Sequence, residues 1–195
     1  MSLYVYTSAF IDNDQQMGNK LEEWKNKNKQ KKRISKALDK QLSSDDISSA
    51  FKRLFALNLE PYSRQFQYRL LNNNLFFNRR LFKFKLTDSP RCSFCLLEQE
   101  TIEHVYLHCT KIRQLWTDLE AWWNNTTEKT PTKFSDLLIL LGTDETTHSA
   151  LLNVLIIDAK TQIYHARKQG TPPDVKKIIS IFTRRCLTEE IIAKK

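Results

Sequence analysis

Apolar residues recur at helical spacing along most of this chain. Ile112, Leu115, Trp116, Leu119 and Trp122 follow the i, i+3, i+4, i+7 pattern and predict an amphipathic helix. Its tryptophans are expected to pack against the cysteine-rich segment just before it. Leu151, Leu155, Ala159, Ile163 and Ala166 predict the inward stripe of a long helix from about Thr147 to Gln169, with Lys160, Arg167 and Lys168 outward. Gly170 ends that helix and Pro172-Pro173 turns the chain. Val175, Ile178, Ile179, Phe182 and Cys186 then form a last buried stripe, with Cys186 a plain core thiol and Lys176, Lys177, Arg184 and Arg185 largely on the other faces. A short apolar helix is expected over Thr132–Leu141, stopped at Gly142. Upstream, Ser43-Ser44-Asp45-Asp46 looks like a turn and N-cap leading into a helix around Phe51 to Leu57. Leu21 to Leu42 is lysine-rich and helix-prone, and residues 1–20 fit either a helix start or an ordered arm.

With only three glycines and five prolines in 195 residues, the fold class that follows is all-α, an irregular helical bundle. Any strand is expected only where the cysteines cluster. No internal repeat and no Gly/Ser linker is present. The pattern divides softly into a basic N-terminal segment 1–48, a helical segment 49–123 holding a knuckle at 88–110, and a C-terminal helical segment 132–195. The loop Asn124–Pro131 is the candidate boundary.

Residues 62–86 mix cations and aromatics. Arg64, Arg69, Arg79, Arg80, Lys83 and Lys85 interleave with Tyr62, Phe66, Tyr68, Phe76, Phe77, Phe82 and Phe84, and no acid lies between Glu60 and Asp88. Helical spacing would put Arg69, Asn73, Phe76, Arg80 and Lys83 on one stripe. Asn72-Asn73-Asn74 is a natural break, with Asn78 or Asn74 capping a second helix. Cations neutralise phosphates, and an exposed aromatic such as Phe76 can stack on an unpaired base. Most of the phenylalanines are expected in the core, leaving the cations to face a ligand. A second basic run, Lys25 to Arg33, contains Lys27, Lys29, Lys31, Lys32 and Arg33 and no acid. It reads as a nucleic-acid patch or a solvated helix face.

Cys92, Cys95, His104 and Cys109 are spaced C-x2-C-x8-H-x4-C. Thiolates and imidazole are the donors a tetrahedral Zn²⁺ selects, and four protein ligands make a closed, structural site. His108 competes for the fourth position. It lies one helical turn from His104, whereas His104 to Cys109 is five residues, about 140° round an ideal helix, so the helix would have to end or unwind there. Local spacing leaves both open.

The run Asp88-Ser89-Pro90-Arg91-Cys92-Ser93-Phe94-Cys95, then Glu100-Thr101-Ile102-Glu103-His104, Cys109 and Trp116, resembles the zinc-binding region downstream of the polymerase in LINE-type, non-LTR retrotransposon reverse transcriptases. Phe51-Lys52-Arg53-Leu54-Phe55, Phe66-Gln67-Tyr68-Arg69-Leu70-Leu71, Leu81-Phe82-Lys83-Phe84-Lys85, Ala159-Lys160, Ile163-Tyr164 and Arg167 look similar to the same family. The resemblance runs from about Trp24 onward and implies one structural Zn²⁺ with Cys109 as its fourth ligand. It implies the polymerase portion of the parent enzyme, RNA and target DNA as partners, acting in target-primed reverse transcription.

Composition narrows the remaining classes. A net charge of +9 suggests a polyanionic partner. The apolar run Leu137–Leu141 is far too short to span a bilayer, and Met1-Ser2-Leu3-Tyr4 shows no signal-peptide pattern, so neither membrane insertion nor secretion is expected. Clustered cysteines with one stray point to metal in a reducing compartment, cytosol or nucleus, where the resemblance implies a ribonucleoprotein of nucleus and cytoplasm. The only Asp-Asp pair, Asp45-Asp46, lacks the aromatic-x-Asp-Asp context of a polymerase, and no glycine-rich phosphate loop is present. Pro90-Arg91-Cys92-x-x-Cys95 faintly echoes zinc deaminases, but no histidine precedes His104 to supply their third ligand. No catalytic residue and no small-molecule substrate is therefore expected. Two classes remain: a nucleic-acid-binding module, or a zinc-stabilised protein-interaction adapter derived from a retroelement fragment.

Overall fold

The computed structural model describes residues 34–36, 42–127, 131–143 and 149–193. The basic run containing Lys27, Lys29, Lys31, Lys32 and Arg33 lies outside them. The chain forms two compact units, Met1–Lys52 and Arg53–Lys195. Among the described residues of the first, 34–36 are helical and α1 (Ser44–Ala56) begins. Its start is a reciprocal capping box: Asp46 N–H donates to Ser43 Oγ at 3.0 Å, and Ser43 N–H donates to Asp46 Oδ2 at 2.7 Å.

The regular elements among the described residues of the second unit are all helices. It contains α2 (Pro61–Leu71), α3 (Asn78–Lys83), a π-helical turn (His104–His108), α4 (Thr110–Thr126), α5 (Asp136–Leu141), α6 (Ser149–Ala166) with a 3₁₀ extension (Arg167–Gln169), and α7 (Val175–Ala193). Pro61 at the start of α2 needs no backbone donor there. Asn73, with φ +52°, turns the chain out of α2, so the asparagine run does split the segment. Neither Asn74 nor Asn78 caps α3 with its side chain. The N-cap is Phe77, and the Asn78 N–H is taken by the Glu100 carboxylate at 2.9 Å. Among the described residues the strand content is one antiparallel bridge, Arg91 with Gln99, in the cysteine-rich loop.

α6 is the centre. Every residue from Leu152 to Thr161 is buried, because α2 and α7 pack on it and the Tyr106 hydroxyl reaches its Lys160 carbonyl at 3.1 Å. A helix covered on several sides has no solvent face to give away. That overturns the expected outward placement of Lys160, which is 1% exposed, and of Arg167, whose side chain is 8% exposed; Leu151, expected inward, is 40% exposed. The tryptophan expectation holds only in part. Trp116 Nε1 donates to Tyr106 O at 2.8 Å, beside the π turn. Trp122 and Trp123 instead meet Phe182 of α7 edge-on, with centroids 6.0 and 6.3 Å away.

α5 starts at Asp136, not Thr132, because Ser135 caps it through Leu138 N–H. Only six residues long, it cannot stand alone. Its last four carbonyls all find donors from elsewhere: Gly142 N–H on Leu138 O at 2.9 Å, Lys160 Nζ on Ile139 O at 2.7 Å, Gln67 Nε2 on Leu140 O at 3.3 Å, and the Arg53 guanidinium on Leu141 O at 3.3 Å. Gly142 closes the helix at φ +82°, where an added Cβ would lie 2.6 Å from Asn153 Oδ1. On the far side of α6, Asp158 is buried and paired by Arg185 of α7 through Nε at 3.2 Å and NH2 at 2.8 Å.

Candidate metal centre and the basic aromatic face

The cysteine-rich loop folds back on itself. Cys92 N–H donates to Glu98 O at 2.7 Å, Glu100 N–H to Pro90 O at 2.8 Å, and Leu96 N–H to Cys92 O at 2.9 Å. Leu96 takes a left-handed φ of +61° to make the turn. The loop thereby presents Cys92 and Cys95 on one side. Across from them, His104 N–H donates to Thr101 Oγ1 at 3.0 Å, and the chain makes a π turn closed by Cys109 N–H on His104 O. An α-helix would have set His104 and Cys109 well apart in azimuth. The widened turn, followed by extended backbone at Cys109 (φ −67°, ψ 119°), brings them together.

The four donor atoms of Cys92, Cys95, His104 and Cys109 lie within 4.8 Å of one another. Cys92 Sγ is 3.8 Å from Cys109 Sγ, and Cys95 Sγ is 3.3 Å from His104 Nε2. Tetrahedral Zn²⁺ with bonds of about 2.3 Å to sulfur and about 2.0 Å to nitrogen requires edges of about 3.8 and 3.5 Å. The residues fit the ion. A disulfide would need about 2.05 Å, and all these cysteines are free. His108, the competing ligand, is exposed and outside the cluster.

Electrostatics agree with a cation site. The hydrogen bond between Cys92 and Cys109 raises the Cys92 thiol pKa and lowers that of Cys109. Backbone N–H groups of Cys95 and Phe94 point at Cys92, and those of Lys111 and Ile112 point at Cys109, which favours thiolate. Burial lowers the His104 pKa, a direction that favours the neutral, ligating imidazole. A closed set of protein ligands supplies folding energy and no metal-bound water.

Behind the cluster stands a support the sequence motif does not advertise as one. Glu100 is fully buried. Its Oε1 accepts from Asn78 N–H and from Arg167 Nε at 2.9 Å each, with Arg167 NH2 closer still, and Oε2 accepts from Ser93 N–H at 2.7 Å. Desolvation pushes the Glu100 pKa up, but the Arg167 charge and these hydrogen bonds outweigh it and lower the pKa overall. One carboxylate thus joins the knuckle, the start of α3 and the end of α6. Arg167 lies 4.3 Å over the Phe77 ring and donates to Phe76 O at 3.0 Å.

The cations expected to contact nucleic acid fall in different settings. Arg79, Lys83 and Lys85 are exposed on or beside α3. Arg69 is also exposed and donates to Asn74 O at 3.3 Å. Arg80 donates to Asn73 O at 2.9 Å and sits 4.7 and 5.9 Å over the Phe76 and Phe84 rings. Arg64 is half-buried and donates to Leu57 O at 3.1 Å, which ties it to the scaffold. Phe76 is 36% exposed, as the stripe suggested. The expectation that most phenylalanines here are core fails in part: Phe66 and Phe77 are buried, but Phe82 and Phe84 are 46% and 55% exposed. α3 buries none of its residues, so its one aromatic, Phe82, stays exposed beside its cations.

Residues 33–116 match the family model described as zinc-binding in reverse transcriptase. That segment, a little under half of the chain, is similar to zinc-binding regions associated with reverse transcriptase. No curated protein and no solved structure matches the chain.

Proposed function

Starting from a zinc-binding region of the reverse-transcriptase kind, we propose that this chain is a non-catalytic nucleic-acid-binding module from the C-terminal part of a LINE-type reverse transcriptase. One structural Zn²⁺ would be held by Cys92, Cys95, His104 and Cys109. The module would help hold element RNA or target DNA for target-primed reverse transcription. Its partners on this reading are RNA or DNA and the polymerase portion of the parent enzyme, in a ribonucleoprotein of nucleus and cytoplasm.

The observation that carries the reading is the surface of α3. Phe76, Phe82 and Phe84 are exposed among Arg79, Lys83 and Lys85, with no acid from residue 61 to 87. Buried aromatics would serve the core alone, and exposed ones beside cations suit bases and phosphates together. The Glu100–Arg167 pair fixes this helix to the metal loop, so a correctly formed knuckle is what presents the face.

The test is a titration of zinc-loaded protein with matched RNA, single-stranded DNA and duplex over a salt series. Four to six phosphate contacts would give a slope of log K against log salt near −3 to −5. Replacing Arg79, Lys83 and Lys85 together with alanine should flatten that slope by about two to three units and weaken RNA and DNA alike. If slope and affinity stay at wild-type values in the folded variant, the adapter reading replaces this one.

A further inference from the structure

We infer that Tyr62 and His165 form a second base-stacking platform for single-stranded nucleic acid, continuous with the α3 face. The inference rests on the nucleic-acid reading above and extends it to residues on α2 and α6 that no motif marks.

The two rings lie 103 positions apart in the sequence. Tyr62, in the first turn of α2, and His165, in the last turn of α6, meet with the hydroxyl and Nε2 2.9 Å apart. Their rings lie 25° from parallel with centroids at 5.5 Å. Both are exposed, Tyr62 at 49%. An exposed aromatic is ordinarily mobile, but this pair is locked by its hydrogen bond and backed by Tyr164, whose ring is 6.3 Å from His165 and 5.5 Å from the buried Phe66. A rigid, wet, flat surface has little to offer a protein core and much to offer a nucleobase, which loses only its own freedom on stacking.

The electrostatic surroundings favour a polyanion. The charged groups acting on His165 are the ammonium groups of Lys168 and Lys177, and the cation acting on Tyr62 is Arg69. Lys168, Lys177 and Arg69 are themselves exposed. Phosphates flanking a stacked base would find cations on both sides.

Continuity with α3 is structural. Tyr164, next to His165, donates from its hydroxyl to Phe76 O at 3.4 Å, and Arg167 donates to the same carbonyl at 3.0 Å. Phe76 in turn is one of the exposed rings around Arg80. One strand can therefore run from the aromatics on and beside α3 over the joined ends of α2 and α6, with a base on each ring platform. Such a path selects unpaired strands, since a duplex keeps its bases stacked on each other.

The experiment uses zinc-loaded full chain and labelled oligouridylate or oligothymidylate, compared with duplex and with an abasic strand of equal charge. Tyr62→Ala with His165→Ala should weaken the single strands roughly 5- to 100-fold and leave duplex and abasic strand nearly unchanged. Tyr62→Phe keeps the ring face and should restore most of the affinity. Lys168→Ala with Lys177→Ala should weaken all probes and flatten the salt slope by about one to two units. Wild-type single-strand binding in the Tyr62/His165 variant overturns the platform. If the Arg79/Lys83/Lys85 variant is weakened in the same series, the wider nucleic-acid reading survives that loss. If neither variant is weakened, both fall. Equal weakening of single strand, duplex and abasic strand by the Tyr62/His165 variant also overturns stacking, because only charge or folding would then be affected.

Discussion

Lys160 offers a test of the core in which the sign of the effect changes with pH. Its ammonium group is 1% exposed and donates to Ile139 O, and burial brings its pKa from 10.5 down to about 7. The folded chain therefore releases this proton near neutrality, while the unfolded chain keeps it to about pH 10.5. Between those values the unfolded state binds one more proton, so stability rises with pH, by about 1.4 kcal/mol per unit. Over the whole window that is roughly 5 kcal/mol. The figure is a ceiling, because the carbonyl end of α5 favours the charged form and opposes part of the shift. Lys160→Met keeps the aliphatic stem and removes the titration, but leaves Ile139 O without this donor, at a cost of about 1–3 kcal/mol. The variant should thus be more stable than wild type at pH 6 and less stable at pH 10. Urea unfolding of zinc-loaded wild type and variant, followed by far-ultraviolet circular dichroism at pH 6, 8 and 10, measures the difference and cancels titrations common to both. A wild-type-minus-variant stability that stays flat or falls with pH would show that Lys160 keeps its proton in the folded state.

Two further outcomes are expected. Cys109→Ser should lose zinc by elemental analysis and melt the region from about Pro90 to Trp123, since structural zinc contributes roughly 10 kcal/mol, whereas His108→Ala should keep its metal; retention in the first and loss in the second would reverse the ligand assignment. Glu100→Gln should destabilise by about 3 kcal/mol or more by leaving Arg167 buried without its counter-charge, read as a drop in the urea midpoint. Because the folded pKa of Glu100 is lowered, the pair contributes fully above the ordinary glutamate value of 4.5 and is lost as pH falls through the folded one, so the variant's deficit should shrink in acid.

The donor cluster was legible because a knuckle is local: Cys92, Cys95, His104 and Cys109 span eighteen residues, and donor chemistry is written in residue type. The helical stripes of α4 and α7 were legible for the same reason, since period is a property of neighbours. Lys160 and Arg167 were not. On a helical wheel a cation reads as outward, and only tertiary structure shows that the carbonyls of α5 and the carboxylate of Glu100 lie in wait for them. Phe82 and Phe84 failed in the opposite direction, because a phenylalanine in a sequence reads as core until the brevity of α3 is known. Spacing alone left His108 and Cys109 open and only the resemblance favoured Cys109; the π turn that brings Cys109 into the donor cluster is a backbone detail that no side-chain spacing encodes.

Cys109 holds two offices at once: it belongs to the donor cluster and it is the residue from which α4 departs. Starting a helix is the unfavourable step, with a nucleation constant of order 10⁻³, or about 4 kcal/mol, before propagation begins to help. A metal bond at Cys109 would fix the residue ahead of the first turn and leave the backbone N–H groups of Lys111 and Ile112 aimed at its sulfur. The seventeen-residue helix would then grow from an anchored end, carrying Trp116 and Trp123 into the core in a single register. Metal loading would on this account set the order in which the chain assembles, as a seed for α4, before it adds anything to the finished fold.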